Sequence, residues 1–139
     1  MAVPGAVLFV CRHNAIRSPM AAALARKNFP AVYCRSAGVD PGEADPFAVE
    51  VMRERGLDLS HRRPRLLREL NDTGFDLVVT LAPEAHHHVL DLSRTQSFDV
   101  EYWPTIDPSV TQGSRAQVLE SYRACRDALE RAIAQRFRG

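Results

Sequence analysis

The sequence predicts a single α/β domain over residues 1–139, built on a doubly wound, four-stranded parallel sheet of strand order 2-1-3-4 with helices on both faces. The chain has 139 residues, 45% of them hydrophobic and 25% charged, which is enough for one core. Apolar runs of strand length, AVLFV at 6–10 and DLVVTL at 76–81, are typical of strands covered on both faces. Because such runs alternate with helical segments, a parallel sheet is expected.

The first half of the chain contains two strand and helix units. Ser18-Pro19 and Asp45-Pro46 each combine a capping side chain with proline at the first helical position, and Gly56 is typical of a helix end. The predicted elements are a strand at 6–10, a helix at 18–26, a strand at 31–36 and a helix at 45–56.

The second half continues the alternation. Pro83 indicates a helix start, and apolar residues recur at helical spacing near the C-terminus. These apolar residues are Val118, Tyr122, Cys125, Leu129 and Phe137. The predicted elements are a short helix at 65–70, a strand at 76–81, a helix at 83–92, a strand at 100–103 and a long final helix.

Composition excludes several classes of partner. The formal net charge is +1 and the arginines are spread along the chain, so neither nucleic acid nor a membrane is an expected partner. The apolar run at 6–10 is too short for a signal peptide or a membrane span, and a cytoplasmic location is expected. Three widely spaced cysteines suit neither a disulfide framework nor a zinc site, which predicts reduced thiols and no bound metal.

The segment FVCRHNAIRSP, at 9–19, predicts a functional loop after the first strand. In doubly wound folds ligands bind at the carboxyl ends of the strands, and Cys11 begins this loop. Cys125 and Arg131 have the same spacing as Cys11 and Arg17, so spacing alone does not identify a site. However, Cys125 falls on the apolar stripe of the final helix, where cysteine behaves as a small hydrophobic residue.

The residue types of this loop suit a nucleophilic anion site. A thiolate is favoured beside a helix N-terminus, whose backbone N–H groups also bind anions. Arg17 can hold two oxygens of a tetrahedral oxyanion, Ser18 can donate a hydrogen bond to the thiolate, and Asn14 tolerates left-handed backbone. The predicted phosphate-binding residues are Arg12, His13, Asn14, Ala15, Ile16, Arg17 and Ser18.

The stretch VCRHNAIRSPMAAALA resembles the signature of the low-molecular-weight protein tyrosine phosphatases, a Cys-x-x-Asn-x-x-Arg-Ser loop near the N-terminus. The resemblance continues in SAG at 36–38, DP at 45–46, DLVVTL at 76–81 and WPTIDPS at 103–109. It covers nearly the whole chain, and a branch of arsenate reductases resembles the same fold and loop.

This resemblance implies a residue for each catalytic role. It implies Cys11 as the nucleophile, Arg17 with the loop amides as phosphate ligands, Ser18 as thiolate stabiliser, Asn14 as loop organiser and Asp107 as the general acid. The implied reaction is hydrolysis of a phosphorylated protein or a small phosphomonoester through phosphocysteine, without cofactor or metal. Asp-Pro-Ser is also a common turn opener, which is the alternative for Asp107.

Departures from the family pattern leave the substrate open. His13 replaces the usual Gly, either as a charge near the thiolate or as a surface residue pointing away, and the second is favoured. Ile16 replaces a second Cys that is often present. Family members with an aromatic pocket carry tyrosines after the Asp-Pro, where this chain has Ser109 and Val110. Relatives that hydrolyse phosphoarginine have Thr at the position of Ala15, so phosphotyrosine and phosphoarginine are both candidates.

Arsenate reduction is the main rival activity. In that branch two further cysteines follow the Thr-Leu, whereas residues 81–92 contain none. An internal relay would require Cys34 or Cys125, both expected to be buried, so the alternative is an arsenate reductase that uses an external thiol or redoxin. A phosphate-binding module without catalysis is a third, less favoured hypothesis.

Other conspicuous residues are interpreted as structural. Consecutive helix residues point about 100° apart, so His86, His87 and His88 do not form one metal site. The basic cluster of His61, Arg62, Arg63 and Arg65 is interpreted as a hydrated surface turn. Phe47, Tyr102 and Trp103 either line the pocket or pack, and packing is favoured for Trp103. A monomer or weak homodimer is expected.

Overall fold

A computed structural model describes residues 2–138. Its sheet has four parallel strands, β1 (Ala6–Cys11), β2 (Tyr33–Gly38), β3 (Leu77–Thr80) and β4 (Asp99–Tyr102), in the order β2-β1-β3-β4. Parallel neighbours require crossover connections, and helices supply them. The predicted fold class and strand order are confirmed.

Four helices cover the two faces of the sheet: α1 (Arg17–Asn28), α2 (Pro46–Arg53), α3 (Pro83–Leu92) and α4 (Arg115–Phe137). Successive β1 side chains point to opposite faces, so β1 contributes to both cores. Val7 and Phe9 pack with α1, α2 and α4, while Leu8 and Val10 pack with α3. The sheet is therefore buried on both sides, as the continuous apolar runs predict.

The strand order places β1 between β2 and β3, so the chain winds in both directions from β1. The carboxyl end of β1 lies at this switch point, the usual ligand position in such a sheet. Cys11, its last residue, pairs in register with Gly38 of β2. The loop from 12 to 16 then leads directly into α1.

Two helix boundaries differ from the prediction. Helix α1 begins at Arg17, with Ile16 before it, because the Ser18 hydroxyl bonds within the loop instead of capping the helix. Helix α2 ends at Arg53, and the chain reaches Gly56, at φ 73°, through a turn. The N-cap of α2 is as predicted, since the Asp45 carboxylate accepts from the backbone N–H groups of Phe47 and Ala48.

The second strand and the short helix also differ in extent. Strand β2 begins at Tyr33, because the Val32 N–H still bonds to the Phe29 carbonyl in the turn after α1. The Tyr33 N–H makes the first bond toward the neighbouring strand, to Gly5. The predicted helix at 65–70 is a three-residue 3₁₀ turn, Leu67–Glu69.

No helix within residues 2–138 combines the length and apolar character needed to cross a membrane. Helix α4 is the longest, at 23 residues, but it carries several arginines and carboxylates. Its apolar stripe, including Cys125 and Leu129, packs on α1 and the sheet.

Candidate active site

Cys11 and Ser18 form the centre of the candidate site. Cys11 is 2% exposed, and its sulfur lies 3.0 Å from the Ser18 hydroxyl oxygen. The same oxygen accepts a hydrogen bond from Asn14 Nδ2 at 2.8 Å and lies 3.3 Å from the Ala37 carbonyl. Since Asn14 donates to Ser18, the single hydroxyl proton goes to an acceptor, which is the Ala37 carbonyl or, at shorter distance, a Cys11 thiolate.

Asn14 organises the loop from a fully buried position. Its φ is 54°, the left-handed region, and it is the one residue other than glycine in this region among residues 2–138. Its amide nitrogen donates to the hydroxyls of Ser18 and Ser36, at 2.8 and 2.9 Å. Its amide oxygen accepts from the Arg65 backbone N–H at 2.9 Å and from the Arg62 guanidinium. These bonds fix the orientation of the amide.

Gly38 allows β2 to approach the back of this loop. A Cβ at Gly38 would lie 2.7 Å from the Asn14 backbone nitrogen and 2.8 Å from the Arg12 carbonyl oxygen. No side chain fits there without moving the loop. The next two N–H groups, of Val39 and Asp40, both donate to the Arg12 carbonyl at 2.8 Å. The close approach to the loop therefore explains why the SAG motif ends in glycine at position 38.

Arg17 is oriented by the segment that follows β4. Its guanidinium donates to the Thr105 carbonyl at 2.9 Å, and its side chain is 10% exposed. A second guanidinium nitrogen lies 4.0 Å from Asp107 Oδ2. The contact to Thr105 joins residues 88 positions apart, so only the tertiary fold creates it.

Asp107 both opens a turn and faces the site. Its Oδ1 accepts from the backbone N–H and the hydroxyl of Ser109, at 2.9 and 2.7 Å, which caps the 3₁₀ turn Pro108–Val110. Its other oxygen points toward Arg17. The turn therefore positions one carboxylate oxygen toward the cavity.

A single cavity brings most of the predicted site residues together. It is lined by Cys11, His13, Ala15, Ile16, Arg17, Asp107 and Ser109. Asn14 and Ser18 are buried behind it. Arg12 does not line it, because its side chain is half exposed and pairs with Asp40 at 3.1 Å. The structure thus separates Arg12 from the other predicted phosphate-binding residues, although its backbone remains part of the loop.

His13 lies at the edge of the cavity, and its exposed side chain turns toward the neighbouring loop at Pro41 and Gly42. Its Nδ1 lies 2.8 Å from the Pro41 carbonyl oxygen. A carbonyl only accepts, so Nδ1 carries the proton in this contact. Gly42 permits the contact, since a Cβ there would lie 2.7 Å from the His13 Cβ. The imidazole is exposed, yet it is anchored at the rim of the cavity.

The aromatic candidates pack outside the cavity. Trp103 packs edge-on against Phe9 at 6.0 Å between ring centroids, so the prediction that it packs is confirmed. Phe47 contacts Tyr122 at 5.4 Å, and Tyr102 stacks on His86 at 4.5 Å. The walls of the cavity are consequently aliphatic or polar, apart from the His13 imidazole.

Cys34 and Cys125 are both buried, as expected, and neither is disulfide-bonded. Burial raises the pKa of Cys34 to about 11, with a smaller opposing effect from Arg26. Burial also raises the pKa of Cys125 to about 12, with Arg17 acting in the opposite direction. Both groups are held as thiols at neutral pH, and a thiol is a poor nucleophile for disulfide exchange.

Comparison with known proteins identifies the family. A family model for low molecular weight phosphotyrosine protein phosphatase matches residues 6–138. The chain belongs to this family.

This phosphatase is 34% identical to the protein-arginine-phosphatase of Geobacillus stearothermophilus, over 94% of this chain and 93% of that one. It is 27% identical to an arsenate reductase of Bacillus licheniformis, over 91% of each chain. The solved low molecular weight protein tyrosine phosphatase from T. tengcongensis matches with a TM-score of 0.77 and 29% identity, over 94% of this chain and 95% of that one.

Family membership makes this chain a cysteine-dependent phosphatase, a hydrolase. The resemblance seen in its loop motif is thereby confirmed. The relatives also include proteins named as arsenate reductases, one of them solved in a phosphate-binding state.

Arg62 contacts the phosphate loop, although no sequence motif indicates this role. The basic cluster was interpreted as a hydrated surface turn, yet Arg62 is partly buried and donates to Asn14. Arg63 and His61, by contrast, are exposed. No local pattern distinguishes Arg62 from its neighbours, so only the tertiary structure reveals it. The three consecutive histidines also differ in environment. His86 hydrogen-bonds to Thr80 at 2.9 Å, whereas His87 and His88 are exposed.

Proposed function

We propose that this phosphatase hydrolyses phosphomonoesters with Cys11 as nucleophile, Arg17 and the loop amides as phosphate ligands, and Asp107 as general acid and base. One observation carries the proposal. Asp107, which is far from the loop in sequence, lines one cavity with Cys11 and Arg17 at the carboxyl end of β1. The N-terminus of α1 faces the same loop and favours a bound anion.

In the first step the Cys11 thiolate attacks phosphorus, and an S–P bond forms as the bond from phosphorus to the leaving oxygen breaks. Asp107 donates a proton to that oxygen, so the product leaves as an alcohol or phenol. Arg17 and the loop N–H groups stabilise the charge on the three equatorial oxygens. The contact between Ser18 and Cys11 supports this step because the hydroxyl can hydrogen-bond the thiolate.

In the second step water attacks the phosphocysteine. Asp107, now ionised, accepts a proton from the water, the S–P bond breaks, and inorganic phosphate and the Cys11 thiolate are regenerated. Asp107 suits both roles, since its Oδ1 is held by Ser109 while Oδ2 faces Arg17. No other carboxylate lines the cavity within residues 2–138.

The substrate class we propose is a phosphorylated protein, with phosphotyrosine as the first candidate from the family match. Phosphoarginine is the second candidate; there the P–N bond breaks instead of a P–O bond, and Asp107 would protonate the leaving guanidino nitrogen. Two observations favour phosphoarginine: the small Ala15 and the polar Ser109 line a cavity without an aromatic wall, and a relative of 34% identity is a protein-arginine-phosphatase.

The experiment compares kcat/KM for two peptides of identical sequence, one with phosphotyrosine and one with phosphoarginine. Ala15→Thr and Ala15→Ile serve as a matched pair, because both add volume but only Thr adds a hydroxyl. Higher kcat/KM for phosphotyrosine in the wild type would support the first candidate, and higher kcat/KM for phosphoarginine the second. No hydrolysis of either peptide, or of p-nitrophenyl phosphate, by folded and reduced protein would overturn the phosphatase proposal.

Arsenate reduction is less well supported. After arsenate binding, a relay inside the protein would have to pass through Cys34 or Cys125, whose buried thiols have raised pKa values. An external thiol or redoxin is then required. Arsenate-dependent oxidation of thioredoxin or glutaredoxin measures this activity directly.

The cell compartment and the oligomeric state are also proposals. Three free and buried cysteines fit a reducing compartment such as the cytoplasm. A monomer or weak homodimer is proposed, and sedimentation across a range of concentrations tests it.

A further inference from the structure

Arg62 contacts the phosphate loop without lining the catalytic cavity. Its guanidinium donates to the Asn14 backbone carbonyl at 2.9 Å and, through a second nitrogen, to the Asn14 side-chain oxygen. The contact joins positions 48 apart, because the loop after α2 folds back onto the end of β1. Two donors of one planar guanidinium therefore hold one residue by both its backbone and its side chain.

The charge of Arg62 is not neutralised by a carboxylate. No Asp or Glu of residues 2–138 lies within ion-pair distance of it. Burial lowers the Arg62 pKa, and the nearby Cys11 acts in the opposite direction. A guanidinium nevertheless stays protonated in a protein, so a partly buried positive charge adjoins a loop suited to anions.

We propose that Arg62 is a positioning residue of this phosphatase, which holds Asn14 in its left-handed conformation and supplies an uncompensated positive charge to the phosphate loop. The inference rests on the proposed function, because the anion that this charge complements is the bound phosphate. Arg62 acts through Asn14 and touches no reacting atom.

Two effects on the site follow from the contacts. The Asn14 carbonyl and the Ala15 N–H belong to one peptide group, so donation to the carbonyl polarises that group and makes the N–H a stronger donor. The bond to the Asn14 side-chain oxygen orients the amide nitrogen toward Ser18, which contacts Cys11. Arg62 thus supports both phosphate binding and the thiolate.

The test compares Arg62→Met, which keeps an unbranched apolar stem but removes the guanidinium and its charge, with Arg62→Lys, which keeps the charge but cannot form the two-pronged contact. Arg63→Met is the matched control, because Arg63 is the exposed neighbour. For each protein, kcat and KM for p-nitrophenyl phosphate, the Kd of inorganic phosphate by calorimetry, and Tm are measured. A purely structural role would move Tm alone.

We expect Arg62→Met to weaken phosphate binding and to lower kcat/KM, each about tenfold to a hundredfold, as loss of a charged hydrogen bond and of loop geometry implies. The Kd and kcat/KM of Arg62→Lys should lie between those of Arg62→Met and wild type. The values for Arg63→Met should stay within about twofold of wild type, because Arg63→Met leaves both contacts of Arg62 with Asn14 in place. A folded Arg62→Met with wild-type Kd and kcat/KM would overturn the proposal. If Arg62→Met does not fold, wild-type values in Arg62→Lys would overturn it.

The phosphate measurement separates this inference from the proposed function. Absence of hydrolysis by the wild type would remove the proposed function. The Kd of phosphate for wild type and variants would still decide whether Arg62 supports the loop.

Discussion

The Cys11 sulfur and the Ser18 hydroxyl oxygen are 3.0 Å apart in a buried contact, and Asn14 donates to that same oxygen. The hydroxyl donates to the Ala37 carbonyl at 3.3 Å, and a Cys11 thiolate at 3.0 Å is a closer, charged acceptor for the same proton. Ser18 and Asn14 are buried behind the cavity, so they orient the nucleophile without lining the cavity.

Ser18→Ala tests this contact. A hydrogen bond to a charged group contributes about 1.5–3 kcal/mol, so kcat for p-nitrophenyl phosphate should fall roughly tenfold to a hundredfold. Steady-state kinetics with a thermal melt checks the prediction. Ser60→Ala, at an exposed position bonded to Asp58, is the control. An unchanged kcat in folded Ser18→Ala would contradict the role of Ser18.

Asp107→Asn tests the general acid. Proton transfer by a positioned side chain contributes typically about 10²–10⁴-fold, so kcat should fall by that order. The loss should be greater for a phenyl phosphate than for p-nitrophenyl phosphate, since a poorer leaving group needs its proton more. Ser109→Ala, which removes only one of the two bonds to Oδ1, should cost much less. An equal loss for both leaving groups would argue against acid catalysis by Asp107.

Gly38→Ala tests the close approach of β2 to the loop. The added Cβ would lie 2.7 Å from the Asn14 nitrogen, so the loop must shift. Overpacking of this kind costs typically about 1–3 kcal/mol of stability, and we expect phosphate affinity to fall as well. Urea unfolding and phosphate calorimetry measure the two effects. Gly74→Ala is the control, because no atom lies within 4 Å of its added Cβ.

The ion pairs of Glu54 should make the folded state less stable in acid. Hydrogen bonds from Arg123, and to a smaller extent from Arg126, lower the pKa of Glu54 from 4.5 to about 2. A carboxyl with a depressed pKa stabilises the folded state above its ordinary value, and this contribution disappears as pH falls through the folded value. The free energy of unfolding of the wild type should therefore fall between pH 4.5 and about pH 2.

Glu54→Gln should lower stability at pH 7 and flatten this part of the pH dependence. Glu120→Gln, at a more exposed side chain that also pairs with Arg123, should change little. Urea unfolding at several pH values makes the comparison. Parallel curves for wild type and Glu54→Gln would show that Glu54 is not responsible.

The strands and the nucleophilic loop could be predicted because their signals are local. Short apolar runs identify β1 and β3, and the segment from Cys11 to Ser18 carries its chemistry in consecutive residues. Boundaries were less predictable, since the Ser18 side chain serves the site instead of capping α1. A local capping rule does not foresee a hydroxyl used elsewhere.

The supporting contacts could not be predicted because they depend on tertiary structure. Arg62 reaches Asn14 and the Thr105 carbonyl reaches Arg17 only after the loops have folded onto the end of β1. The Pro41 carbonyl holds the exposed His13 imidazole through another contact between distant positions. Chain-specific substitutions such as His13 therefore need a structure before their role can be assigned.

The most direct test of the account is detection of the phosphocysteine. Enzyme mixed with p-nitrophenyl phosphate is quenched within milliseconds, digested, and analysed by mass spectrometry, with stopped-flow detection of p-nitrophenolate in parallel. The account predicts a phosphoryl group on the peptide that contains Cys11, and neither adduct nor turnover in Cys11→Ala. Turnover by Cys11→Ala at the wild-type rate, or a phosphoryl group found only on another residue, would contradict it.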